Sequence, residues 1–98
     1  MNAHAPQLQR VPDFDDVAGK LAAGKWMAYP YETYGQLDRD EWNDQLVKHL
    51  EQRGVQAEVI DVRKKSVVIV VNAAALPTLD QVKGTVAAIE HVRSLGRL

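Results

Sequence analysis

Ser66-Val67-Val68-Ile69-Val70-Val71-Asn72 is the stretch from which the fold is read. Its five central residues are all β-branched, so they lose little side-chain freedom in a pleated strand and pack well on its surface. Alternate side chains leave a strand on opposite sides. Val67, Ile69 and Val71 therefore cover one face, and Val68 and Val70 the other. Both faces are apolar and both need cover, which places this strand inside a sheet, with neighbours on either hand.

Just upstream, Val55–Val62 reads as a second strand, joined to the first by Arg63-Lys64-Lys65. So short a link implies an antiparallel hairpin, although it lacks the Asn-Gly or Asp-Gly of the favoured two-residue turns. Downstream, Ala73–Leu76 and Pro77 lead to Thr78, whose pairing with Gln81 is a capping box. It opens a helix from Leu79 to about Leu95 with an apolar stripe of Leu79, Val82, Val86 and Ile89, and Val92 at its margin. Before the hairpin, Asp38 is an N-cap with Glu41 three residues on, and Leu37 is placed to staple against Trp42. Trp42, Leu46 and Leu50 line the helix that follows, and Gly54 closes it.

Lys25–Tyr31 reads as a short strand that Pro30 confines to an edge, and Glu32–Leu37 connects it to the Asp38 helix. At the front, Asp13 caps a helix whose Asp15 and Asp16 suit its positive end. Phe14, Val17, Ala18 and Leu21 form its buried stripe, and Gly24 stops it. Residues 1–12 carry two prolines and no period, and read as a flexible tail before a single domain over 13–98.

The element order is α-β-α-β-β-α. A strand–helix–strand unit crosses right-handed and leaves its two strands running the same way. Placing the apolar strand between them gives a small α/β sandwich of the α+β class, with a three-stranded mixed sheet in order 1-3-2. Two helices already cover one side of so narrow a sheet. The third must wrap an end or cross over, or a second subunit must cover the remaining face, which makes that face a candidate assembly surface.

The chain has 98 residues, enough for one modest core, with 46% apolar and 26% charged residues. It has no cysteine, which excludes disulfides and thiolate metal sites. The longest aliphatic run has five residues, against roughly 20 for a spanning helix, and the start Met1-Asn2-Ala3-His4-Ala5-Pro6-Gln7 lacks the pattern of a signal peptide. The expectation is a soluble cytoplasmic protein with no membrane contact. A net charge of −1 argues against general nucleic-acid binding. The charge is nevertheless divided. Residues 1–50 hold 5 Lys/Arg and 8 Asp/Glu, and residues 51–98 hold 7 and 5.

No motif assembles into catalytic chemistry. Gly19–Lys25 fits G-x-x-x-x-G-K, but a phosphate loop needs a strand before it, a helix after it and a Ser/Thr next, where this chain has Trp26. Asp38, Asp40, Glu41 and Asp44 crowd a helix start without the glycine and glutamate of a calcium loop. Glu58, Asp61, Arg63 and Lys64 approach the acid-x-Lys pattern of metal-dependent nucleases, but arginine stands where the tunable lysine belongs. His4, His49 and His91 have no metal-ligand spacing, and Ser66 and Ser94 are not in nucleophile-elbow contexts. The reading is of no catalytic, cofactor-binding or metal-binding residues, no cofactor and no small-molecule substrate.

Two positive features remain. Trp26, Tyr29, Tyr31, Tyr34 and Trp42 are five of the six aromatics, and Tyr and Trp are common interface anchors. Alternation puts Trp26 and Ala28 on one side and Met27, Tyr29 and Tyr31 on the other. The second feature is the basic tip Arg63, Lys64 and Lys65, suited to a phosphate or an acidic partner. The expected function is therefore that of a non-enzymatic binding protein, self-associating as a homodimer or docking on another protein as an accessory or inhibitor-like chain. Its interface candidates are Tyr29, Tyr31, Tyr34, Val68 and Val70. The alternative is nucleic-acid contact through Arg63–Lys65.

Overall fold

The computed structural model describes residues 13–98; the tail expected over residues 1–12 lies outside the described residues. Three helices, α1 (Phe14–Ala22), α2 (Arg39–Gln52) and α3 (Leu79–Ser94), accompany three strands, β1 (Met27–Pro30), β2 (Ala57–Val62) and β3 (Val67–Asn72). Short 3-10 turns occupy Tyr31–Tyr34 and Arg63–Lys65. The sheet order is β1-β3-β2, as the double-faced apolar strand requires.

Each helix starts on its expected cap. Asp13 accepts from the Asp16 N–H at 2.7 Å, and Asp38 from the Glu41 N–H at 3.1 Å. At Thr78 both halves of the capping box form: Gln81 N–H donates to the Thr78 hydroxyl, and Thr78 N–H to the Gln81 side-chain carbonyl. Gly24 and Gly54 follow α1 and α2 with φ of +84° and +76°, a region costly for any residue with a Cβ.

β3 pairs antiparallel with both neighbours, Ala28 opposite Ile69 and Ile60 opposite Ile69 on the other side. The expected mixed sheet is thus antiparallel throughout. β1 and β2 do run the same way, as the crossover rule requires, but β3 separates them, so no parallel pair is in contact.

The two faces of β3 are buried to the same degree. Val68 and Val70 pack under α1 and α2 with Val17, Leu21, Leu46 and Leu50. Val67, Ile69 and Val71 pack under α3 with Val86, and with Val82 and Ile89 half-buried beside it. The third helix has therefore crossed to the second face, and that face is not an open surface on β3. Its stripe begins later than the sequence pattern suggests: Leu79 is 67% exposed and Val82 is the first of the set to touch the sheet. Leu37 also stays half-exposed beside Trp42.

Candidate functional site

Four of the five interface candidates belong to the core. Val68 and Val70 are fully buried, and Tyr29 and Tyr34 nearly so, because α1 and α2 close over the face on which they lie. They are not surface anchors. Their rings form an edge-to-face set around Trp42, with centroid distances of 5.6 Å from Tyr34 and 6.1 Å from Tyr29. Tyr34 donates to the Asn43 side-chain carbonyl at 3.1 Å, whereas the Tyr29 hydroxyl is buried without a partner among the described residues. Burial pushes both hydroxyls to higher pKa.

Tyr31, the fifth candidate, is half-buried and turned to a structural use. Its hydroxyl donates to the Asp61 carboxylate on β2, and this bond raises its pKa. The Arg39 guanidinium lies 3.8 Å from the Tyr31 ring centroid and reaches Asp61 at 3.4 Å. One tyrosine thus ties the turn after β1 to the far strand.

The basic tip is brought together but largely neutralised. Lys65 pairs with Glu90 of α3 at 3.2 Å, and the 78%-exposed Arg63 lies 3.7 Å from Asp61. Lys64 makes no ion pair among the described residues. Ser66 turns the chain into β3 with a φ of +55°. Beneath it Arg93 of α3 holds the turn from inside. It grips Glu32 with two bonds of 2.7 Å and donates to the carbonyls of Lys65 and Ser66 at 2.6 Å. This pairing lowers the pKa of Glu32 and raises that of Arg93. An open groove of about 700 Å³ runs over it, lined by charges of both signs.

The outer edge of β2 is the remaining feature, one that the strand pattern of Val55–Val62 does not single out. The Ala73 N–H donates to the Gln56 carbonyl at 2.8 Å, so the backbone groups of Gln56, Glu58, Ile60 and Val62 point toward β3. By alternation, the N–H and C=O groups of Ala57, Val59 and Asp61 point outward, away from the sheet. On the α3 side this strand carries Glu58, Ile60 and Val62. Only Val62 packs against the α3 cluster, and Ile60 is left 49% exposed.

The opposite edge differs. The Tyr31 N–H donates to the Ser66 carbonyl at 2.9 Å, so Pro30 stands at a position whose backbone faces outward. Its missing donor costs the ladder nothing there. The signal for Ile60 was present in the alternation of Val55–Val62, but only the placement of a single helix over that face shows which side of β2 stays bare.

Among the described residues no group of three or more His, Cys, Asp or Glu side chains is arranged to hold a metal ion, and no helix is long and apolar enough to cross a membrane. No protein-family profile, curated protein or solved structure matches this chain.

Proposed function

We propose that the protein is a non-enzymatic binding module that receives an extended protein segment along β2. The observation that carries this reading is the edge of Ala57, Val59 and Asp61, unpaired among the described residues, with exposed Ile60 beside it. Outward backbone groups give affinity to an added strand, and the alternating side chains give it register. A hydrophobic edge strand without proline is also what soluble proteins avoid unless something covers it. Glu58 stands exposed on the α3 side of this edge.

The second reading is nucleic-acid contact at Arg63–Lys65. What favours it is Lys64, without an ion pair among the described residues, beside exposed Arg63. What weighs against it is the neutralisation of Lys65 by Glu90.

Titrating the isotope-labelled protein with a short alternating Val–Thr peptide, and separately with a single-stranded oligonucleotide, tests the two. The expected result is that the peptide shifts the amide signals of Ala57, Val59 and Asp61. Shifts confined to Arg63–Lys65, produced by the oligonucleotide and fading with salt, would establish the second reading in its place.

A further inference from the structure

Resting on the strand-docking reading above, we infer that the natural occupant of the β2 edge is a second copy of the same chain, its β2 antiparallel to the first. Such pairing joins two three-stranded sheets into one continuous sheet.

The geometry of the edge restricts the register. Outward-facing residues of one copy must meet outward-facing residues of the other, and a two-fold axis normal to the sheet keeps each helical layer on its own side. Centring the axis on Ile60 satisfies both conditions. Val59 then forms a hydrogen-bonded pair with the partner's Asp61, and the two Ile60 side chains meet as a close non-hydrogen-bonded pair. The 49%-exposed residue that nothing among the described residues covers is thereby covered by its twin.

Charge selects the antiparallel direction. Glu58 is the second residue of β2, and the basic turn Arg63, Lys64 and Lys65 directly follows the strand's end at Val62. In the Ile60-centred register Glu58 lies opposite the partner's Val62, the last strand residue before the partner's basic turn that holds Lys64. Symmetry repeats that placement. A parallel arrangement would set basic tip against basic tip. The Asp61 carboxylate is held back by Tyr31 and Arg39, so it does not oppose its counterpart. An apolar centre with an acidic start and a basic end is complementary to itself.

Sedimentation equilibrium over a wide concentration range, with far-UV circular dichroism as the check on folding, is the test. The wild type should dimerise. Val59→Pro removes an outward N–H and puts a ring in the path of the incoming strand, and Ile60→Lys sets two like charges across the axis. Each should leave the fold intact and weaken the dimer about tenfold or more. Lys64→Glu should weaken it too, and the Glu58→Lys, Lys64→Glu double variant should recover part of the loss. A dimer indifferent to Val59→Pro and Ile60→Lys would place the interface elsewhere and overturn the inference. A wild-type monomer whose β2 amides still respond to the Val–Thr peptide overturns the second copy as occupant and leaves strand docking standing. A monomer that ignores the peptide removes both.

Discussion

Val68 and Val70 look into a layer of two helices and five aromatic rings, whereas Val67, Ile69 and Val71 look at one helix that buries a single residue of its own, Val86. β3 is equally dry on both sides, so the difference lies in what provides the dryness. The first face is closed by interlocking apolar volume. The second is closed by a helix whose firmest tether is polar, the Arg93 grip on Glu32 and on the Lys65 and Ser66 carbonyls. The same strand thus sits between a layer that fails only when its packing fails and a layer that also responds to charge.

The largest expected effects test whether the faces are equally important to stability. Leu46→Ala on the two-helix side and Ile69→Ala on the one-helix side should each cost about 2–5 kcal/mol, the range for a buried large-to-small change. Urea midpoints measure both. A cost of a few tenths for Ile69→Ala would make the α3 side peripheral and break the comparison.

Next in size is Arg93→Met, which keeps the apolar stem and removes the charge. It should cost about 1–3 kcal/mol, as expected for losing charge-assisted bonds; the Lys65 carbonyl loses its donor, while the Ser66 carbonyl keeps the Tyr31 N–H. Hydrogen exchange should show the loosening in α3 and not in α1 or α2. Equal loosening of all three helices would mean that the polar tether belongs to the whole fold.

Two tyrosines on the two-helix side give a smaller and oppositely signed pair. Tyr34→Phe strands the Asn43 carbonyl in the core and should destabilise by about 1–2 kcal/mol. Tyr29→Phe deletes a buried hydroxyl that has no partner among the described residues, and should be neutral or stabilising by thermal melt. If both substitutions destabilise alike, the Tyr29 hydroxyl is satisfied in solution, and the apolar description of that face needs revision.

The smallest effect is in pH. Glu32 in the folded chain holds its proton less tightly than the ordinary value of 4.5, because Arg93 stabilises the carboxylate. The unfolded chain therefore binds more protons at mildly acid pH. The pair's contribution is complete above 4.5 and is lost as pH falls through the lower folded value. The Glu32 side chain is 40% exposed and salt-screened, so the amount is under about 1 kcal/mol. Acid titration of Glu32→Gln beside the wild type should show a shallower decline in the variant.

Much of this architecture was legible. The β1-β3-β2 order follows from a strand with two apolar faces and a link too short for anything but a hairpin. The caps at Asp13, Asp38 and Thr78 are local chemistry, decided within three residues, and all form. The Arg93–Glu32 grip spans 61 positions and leaves no periodic trace. Leu79 fits a helical stripe by spacing yet overhangs the end of the sheet, since spacing gives a direction and not the extent of what lies beneath. The tyrosines were legible as a cluster, but not as core, because exposure depends on which face the first two helices share. The bare side of β2 was hidden for the same reason.

Pro30 bears on how far any assembly grows. Within Met27–Pro30 only Ala28 offers an outward N–H, so the β1 edge is a poor template for another strand. A chain with two open edges adds copies end to end into a fibre. If β2 receives a second copy as inferred, the nearly mute β1 edge gives each molecule a valence of one, and addition would end with a closed pair.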